Sequence, residues 1–209
     1  MKKSHIFPGL IDCHVHFREP GFEHKGTMAS ESASARSGGV TTVCEMPNTN
    51  PPTTTCAAFK DKVMRSQKVR DTDIRFFFGM TNDADLKEFL LLWNGGECES
   101  LRSRCAGVKV YLDHSTGNQK LDAAVMKDVF RVCAEVNAPL VAHCEDALIN
   151  AQDPRRPPKS EERSIDDAIK MARVYGTHLH IAHLSTEQGL HLVQQAKKDG
   201  LMVTCEAAP

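Results

Sequence analysis

Short apolar runs alternate with amphipathic stretches along the whole chain. Seven runs of apolar and β-branched residues predict strands at about 9–16, 40–46, 74–80, 107–112, 139–144, 178–183 and 201–206. Between them, apolar residues recur at helical spacing and predict helices at about 24–38, 55–69, 83–93, 122–137, 163–175 and 186–198. A polar stretch at 152–160, broken by prolines, interrupts the chain before the fifth of these helices.

This alternation predicts a single α/β domain with a parallel sheet covered by helices. Two architectures fit the pattern, an open doubly wound sheet and a (β/α)8 barrel. No glycine-rich phosphate-binding fingerprint follows a strand, and residues with metal-binding chemistry lie at the C-terminal ends of several strands. A barrel assembles its site at that end. We therefore favour a (β/α)8 TIM-type barrel over residues 1–209, with about seven βα units present.

The first predicted strand carries two histidines at alternate positions. His14 and His16 project to the same face of a strand, and imidazole is the commonest protein ligand for divalent metals. Arg18 continues the alternation if the strand persists, and its guanidinium can bind a carboxylate through two hydrogen bonds. The alternative is that two histidines fall on one strand by coincidence. Residues of ligand type at the ends of later strands bear on this choice.

More residues of ligand type lie at the ends of later strands, namely Lys109, His143, His180 and His183. The mouth ends of barrel strands converge, so these side chains could share one or two metal ions. For His143, a structural role through a hydrogen bond is the alternative. His180 and His183 have odd spacing and face opposite sides of a regular strand. We expect His183 to reach the mouth and His180 to support a ligand.

Lys109 is unusual because it lies inside an apolar strand, where its charge resists burial. One interpretation is that its stem is buried while the ammonium reaches water. The other is chemical: a desolvated amine near metal ions loses its proton more readily. The neutral amine can add carbon dioxide to give a carbamate, whose two oxygens can bridge two divalent metals.

Composition and charge narrow the possible functions. The net charge is −1, with 41% hydrophobic and 25% charged residues, which is ordinary for a globular protein and argues against a nucleic-acid partner. No apolar run is long enough to predict a membrane span. The eight cysteines form no C-x-x-C pair, and we interpret them as reduced thiols of a cytoplasmic protein.

Five sequence blocks, in order, resemble those of dihydroorotases. They are Asp12-x-His14-x-His16-Phe17-Arg18-Glu19-Pro20-Gly21, Met46-Pro47-Asn48-Thr49 followed by Pro51, Gly107-Val108-Lys109-Val110-Tyr111, Ala142-His143-Cys144-Glu145-Asp146, and His180-Ile181-Ala182-His183-Leu184-Ser185. Each block alone is a weak signal, but together they are specific and extend over essentially the whole chain. The resemblance implies membership of the amidohydrolase superfamily of metal-dependent (β/α)8 barrels.

The resemblance also implies a site and a reaction. His14, His16, His143 and His183 would bind two zinc ions, and carboxylated Lys109 would bridge them. Arg18 and Asn48 match positions that hold the substrate carboxylate. The implied reaction interconverts dihydroorotate and N-carbamoyl-L-aspartate in pyrimidine synthesis.

Two related classes stay open as alternatives to this reaction. Dihydropyrimidinases and hydantoinases share the H-x-H opening but take neutral rings and generally lack an arginine two residues later, at the position of Arg18. Allantoinases resemble the block closely, with asparagine typical at that position. Arg18 thus favours an anionic substrate.

The end of the chain departs from the resemblance. Dihydroorotases place a metal-binding aspartate, which also moves the proton, at the end of strand eight, whereas this sequence finishes at Pro209. We therefore expect a C-terminally incomplete barrel without that catalytic residue, and we do not assign Glu206 to replace it. The chain would be part of a longer enzyme, or an inactive truncated relative acting as a scaffold. An open sheet edge predicts pairing, in a homodimer or with aspartate transcarbamoylase.

Overall fold

A computed structural model of the protein describes residues 5–70, 72–95, 98–114 and 119–208. Its strands are β1 (Leu10–Val15), β2 (Val40–Glu45), β3 (Asp73–Gly79), β4 (Cys105–Tyr111), β5 (Leu140–His143), β6 (Leu179–Ile181) and β7 (Val203–Cys205). They form one seven-stranded sheet in chain order, and each neighbouring pair is parallel. The sheet curls so far that Glu206, just after β7, contacts Cys13 in β1. The predicted barrel-type α/β fold with seven strands is confirmed.

Helices connect the strands and cover the outer face of the sheet. They are α1 (Met28–Ser37), α2 (Cys56–Ser66), α3 (Asp83–Trp93), α4 (Met126–Glu135), α5 (Ala147–Gln152), α6 (Pro158–Tyr175) and α7 (Glu187–Lys198), with a 3-10 helix at Glu99–Arg104. Several helices begin at a side chain that accepts hydrogen bonds from the free amides of the first turn, at Thr27, Thr55, Asn82, Asp146 and Thr186.

The stretch predicted to interrupt the chain differs most from expectation. Asp146 caps the short helix α5, which the sequence pattern did not predict. Helix α6 then starts at Pro158 rather than near residue 163. Proline is tolerated in the first turn of a helix because the amide it lacks would have no intrahelical partner there. A proline can therefore begin a helix as well as end one, and the predicted start of α6 near residue 163 was too late.

Apolar side chains pack on both faces of the sheet, as expected for parallel strands. Along β3, Phe76 and Phe78 point to the helix layer, where they pack with Phe59 at ring separations of 6.0 and 6.2 Å. Phe77 points to the opposite, inner face, in a small cluster with Met46, Val141 and Ala182. The consecutive phenylalanines thus fill two separate apolar layers.

The two end strands of the sheet are less covered than the middle ones. In β1, Leu10 is 56% exposed and Ile11 is 71% exposed, whereas most of β4 is buried. An exposed apolar edge strand is a surface that can pair with another chain. No helix in the described part of the chain is long and apolar enough to cross a membrane.

Candidate metal centre

The structure gathers the four predicted histidine ligands at the C-terminal edge of the sheet. His14 lies in β1 and His16 just after it, while His143 ends β5 and His183 follows β6. The ring centroid of His14 lies 5.2 Å from that of His16 and 5.4 Å from that of His183. His143 and His183 are 4.7 Å apart by the same measure. Residues up to 169 positions apart in the chain therefore form one cluster.

His143 and His183 direct nitrogens at a common point. His143 Nδ1 and His183 Nε2 lie 2.9 Å apart. A tetrahedral metal with metal–nitrogen bonds near 2.0–2.1 Å separates two nitrogen ligands by about 3.3 Å, so a small shift would seat one ion between them. The other nitrogen of His143 contacts Glu145 Oε2 at 3.0 Å, and Arg156 pairs with that same carboxylate. These contacts hold the His143 ring in place.

His14 and His16 are anchored through the opposite nitrogen. The Nδ1 atom of His16 donates to Asn48 Oδ1 at 2.8 Å. The Nδ1 atom of His14 donates to Glu206 Oε1. A donor at Nδ1 leaves Nε2 without a proton in the neutral ring, and a bare ring nitrogen is what binds a metal. Both rings thus have the tautomer that a metal site requires.

Lys109 lies at the inner end of this cluster. Its side chain is fully buried, and its Nζ atom has no hydrogen-bond partner in the described part of the protein. The interpretation in which the ammonium reaches water is therefore wrong. Burial lowers the pKa of Lys109 to about 8, so part of the population carries a neutral amine near neutral pH. An orphaned buried amine fits a residue that acquires its partner by reacting with carbon dioxide and binding metal.

Burial also keeps His16, His143 and His183 neutral. Desolvation, with help from the charge of Arg18, lowers the pKa of His16 to about 3. Desolvation and the neighbouring His183 lower the pKa of His143 to about 3. The pKa of His183 is lowered as well, first by burial and then by Lys109. Neutral imidazole is the form that coordinates metals, so the residues present fit a metal centre.

Backbone strain coincides with the site. Arg18 and His183 adopt positive φ angles of 70° and 37°, which non-glycine residues rarely do. Strain of this kind persists where the surrounding structure imposes it, often at functional sites. Arg18 lies beyond the end of β1, so it does not continue the strand alternation. Its Nη1 atom is buried and finds no partner among the described residues, which leaves a donor free for an anion.

The strand-parity expectation for His180 and His183 is only partly met. Strand β6 ends at Ile181, and the positive φ angle of His183 turns the chain. As a result both rings reach the interior instead of opposite faces. His183 meets His143 at the mouth, while His180 lies deeper and contacts Thr204 at 2.8 Å. Strand alternation does not apply once the strand has ended.

Glu206 is the main site residue whose contacts the sequence did not predict. Burial opposes its charge, but contacts with His14, His180 and Cys13 hold the pKa of its carboxyl well below the usual range. It is therefore ionised and bonded to a predicted metal ligand. Its position at the end of the seventh strand was a usable signal, because His16, His143 and His183 also lie at strand ends.

A buried ion pair beneath the site was also missed. Lys62 in α2 pairs with Glu45 at the end of β2, and both side chains are about 1% exposed. Lys62 Nζ also donates to the carbonyl of Met46 at 3.0 Å. The pair thus anchors the chain just before the loop that carries Asn48. A glutamate inside an apolar strand was the available signal, as it was for Lys109.

Two cavities open onto the histidine cluster. The larger, of about 600 Å³, is lined by residues that include Cys13, His14, His16, His183 and Glu206. The smaller, of about 250 Å³, is lined by His143, Glu145, Arg156 and His183 among others. Small molecules and ions therefore have access to both sides of the cluster.

A family model described as "Amidohydrolase family" matches residues 5–207. The chain therefore belongs to the amidohydrolase family. The sequence is 36% identical over 215 residues to a dihydroorotase of Halobacterium salinarum, covering 98% of this chain and 47% of that protein. A dihydroorotase of Latilactobacillus sakei is 36% identical over 217 residues, covering 98% and 48%.

Solved structures show the same architecture. An L-hydantoinase (dihydropyrimidinase) from Arthrobacter aurescens superposes with a TM-score of 0.86 at 26% identity, covering 97% of this chain and 47% of that one. A D-hydantoinase from a Thermus species superposes with a TM-score of 0.76 at 21% identity, which supports the fold alone. The chain spans about half the length of the curated relatives it matches.

Proposed function

We propose that this chain carries the metal-binding site of a dihydroorotase-type cyclic amide hydrolase. The observation that carries the proposal is the convergence of four histidines beside the amine of Lys109, which has no hydrogen-bond partner among the described residues. The ordered sequence blocks and the dihydroorotase relatives support it. The reaction would be the interconversion of dihydroorotate and N-carbamoyl-L-aspartate.

The residues present would hold two zinc ions. His14 and His16 would offer their free Nε2 atoms, and His143 and His183 would offer the facing pair Nδ1 and Nε2. Lys109, carboxylated at Nζ, would contribute the bridging oxygens. Bound zinc supplies Lewis acidity, which makes water more acidic and polarises a carbonyl oxygen.

Arg18 and Asn48 would orient the substrate. The Nη1 atom of Arg18, which has no hydrogen-bond partner in the part of the chain that the structure describes, suits a carboxylate, which dihydroorotate has and uncharged cyclic amides lack. Asn48 binds His16 through its oxygen, so it would also position a metal ligand. We assign no general acid or base to any of these 209 residues.

A second candidate is a hydantoinase or dihydropyrimidinase, which act on neutral rings. The likeness to the L-hydantoinase structure favours it. Removing Arg18 separates the two. A charge-assisted hydrogen bond is worth about 1.5–3 kcal/mol, so Arg18→Ala should weaken binding of dihydroorotate roughly 10- to 100-fold and leave hydantoin binding unchanged. Equal effects on both ligands would argue for the neutral-ring class.

Zinc binding tests the centre itself. The metal-free chain should bind zinc, and His143→Ala should lose affinity for it. The matched control is His191→Ala, which removes an exposed histidine from α7 and should change nothing. A folded chain that binds zinc no more tightly than its His143→Ala variant would contradict the proposal.

Partner and location belong to the same proposal. The exposed apolar residues of β1 support pairing with a second copy or with a transcarbamoylase. Sedimentation of the chain with and without that partner would measure it, and a monomer under both conditions would refute it. A cytoplasmic location is supported by eight cysteines that are all free.

A further inference from the structure

We infer that Cys13, His180 and Glu206 form a second metal site, suited to a zinc-type divalent ion, deeper in the barrel than the histidine cluster. None of these three donors is among the predicted zinc ligands. The inference therefore goes beyond the proposed function and does not depend on it.

The three side chains come from the two ends of the curled sheet. Cys13 lies in β1, His180 in β6 and Glu206 just after β7. His180 is placed opposite Val141 and Thr204 in the sheet. Val141 belongs to the inner apolar cluster, so the site lies on the inner face. Only the curling of the sheet brings β1 to the last strands.

The spacing of the donor atoms suits a metal ion. One ligand atom from each residue lies within 4.8 Å of the other two. Cys13 Sγ is 3.1 Å from Glu206 Oε2, and His180 Nε2 is 3.3 Å from the same oxygen. Zinc bonds near 2.0–2.3 Å in a tetrahedral site separate the donors by roughly 3.3–3.7 Å. Small side-chain shifts would therefore give bonding distances.

The orientation of His180 points to a missing ligand. Its Nδ1 atom hydrogen bonds with Thr204 Oγ1 at 2.8 Å, which turns Nε2 towards the other two donors. Nε2 is buried and, in the part of the chain that the structure describes, makes no contact with the geometry of a hydrogen bond. Buried polar atoms are rarely left without a partner. A metal ion would supply that partner, and Thr204 would hold the ring in its tautomer.

The donor set selects the class of metal. A thiolate, an imidazole and a carboxylate suit zinc and cobalt and disfavour magnesium and calcium, which prefer oxygen ligands alone. In the structure the thiol of Cys13 donates to Glu206. Binding replaces the S–H bond with an S–metal bond and releases one proton to water. The thiolate and the carboxylate then balance the charge of a divalent ion.

An ion can reach this site. Cys13 is exposed, and it lines the cavity of about 600 Å³ together with Glu206. Glu206 also links the two sites, because its Oε1 atom contacts His14 while Oε2 faces Cys13 and His180. Occupation of the deeper site would leave the His14 contact in place.

Cobalt titration of the reduced, metal-free 209-residue chain tests the inference. Cobalt bound to a thiolate gives a charge-transfer absorption in the near ultraviolet, which histidine and carboxylate ligands do not produce. We expect this band to rise and saturate, with a final amplitude that corresponds to one thiolate-bound cobalt ion per chain. Cys13→Ser should abolish it, and His180→Gln should weaken cobalt binding at this site at least 10-fold.

Two controls separate this site from its surroundings. Cys44→Ser removes a neighbouring cysteine outside the donor set and should keep the band. His16→Ala disables the proposed zinc centre and should also keep it, so the two proposals fail independently. Circular dichroism confirms that each variant is folded. The absence of a thiolate band in the wild-type chain, or its persistence in folded Cys13→Ser, would show a hydrogen-bonded cluster only.

Discussion

Two lysines are fully buried in the described part of this protein, and they differ in whether the fold gives them a partner. Lys62 lies between α2 and β2, paired with Glu45 and bonded to the Met46 carbonyl. Lys109 lies on the inner face of β4 and has no such contact within the described residues. Burial lowers the pKa of each ammonium. The difference shows that a buried charge paired with an opposite charge has a structural role, whereas a buried charge without such a partner indicates a functional site.

The surroundings of the two lysines differ in the same way. Each ammonium lies over an aromatic ring, that of Lys62 5.4 Å from the Phe76 ring centre and that of Lys109 5.1 Å from the Tyr111 ring centre. Of the two, only Lys62 has a carboxylate partner among the described residues. Around Lys109, neutral histidines face each other and His183 has a strained backbone angle. Natural sequences violate local rules mainly at functional sites. The comparison leads to four predictions, ordered by expected size.

The largest effect should follow replacement of Lys109. Lys109→Met removes the proposed bridge, so we expect zinc affinity to fall by roughly 1,000-fold, equivalent to about 4 kcal/mol. The stability of the metal-free chain should hold or rise, since a buried unpaired ammonium is lost. Zinc titration against a competing chelator and urea unfolding measure the two quantities. Lower stability without a loss of metal binding would reverse the roles assigned to the two lysines.

Glu45→Gln should lower the stability of the folded chain rather than its zinc affinity. It leaves the Lys62 ammonium buried without a counter-charge, which typically costs about 3–5 kcal/mol of unfolding free energy. The double variant Glu45→Met with Lys62→Met should recover most of that loss, because the uncompensated charge is gone. Denaturant unfolding of the single and double variants gives the coupling. Additive losses would show that the pair is not what stabilises this region.

Lowering the pH should reduce the stability of the metal-free chain, because buried neutral histidines lie at the mouth of the barrel. The folded pKa values of His16 and His143 are lowered to about 3, whereas an unfolded histidine titrates near 6.5. Protons therefore bind preferentially to the unfolded chain as the pH falls through the unfolded pKa. Between pH 7.5 and 5.5 the metal-free chain should lose about 2–3 kcal/mol of stability. His143→Asn should halve that loss, and an unchanged slope would contradict the assignment.

Asn48 lies between the Lys62–Glu45 pair and the histidine cluster. Its replacement should have the smallest of the four effects. Asn48→Ala removes the acceptor for His16 Nδ1 without removing a predicted ligand. Contacts of this kind are typically worth 10- to 100-fold in metal affinity, and we expect a loss of about 10-fold. Competition with a zinc chelator measures it. Asn94→Ala, which removes an exposed asparagine after α3 that lines neither cavity at the cluster, serves as the control and should leave zinc affinity unchanged.

Patterns local in the chain determined most of the architecture. Apolar runs located the strands and their order, because parallel strands buried on both faces read as apolar runs. Histidines at alternate positions or at strand ends identified His14, His16, His143 and His183, since such ends meet in a barrel. Lys109 was recognisable because a charged residue inside an apolar strand is unusual.

Only the tertiary structure decided which side chains meet. Glu206 follows His14 by 192 positions, and no local pattern predicts that they touch or that Cys13 and His180 share the same carboxylate. Lys62 lies on a helix face that reads as apolar, and its partner becomes apparent only when α2 packs on β2. The physical reason is that such contacts depend on the curvature of the sheet and on helix packing, and both are determined by interactions along the whole chain.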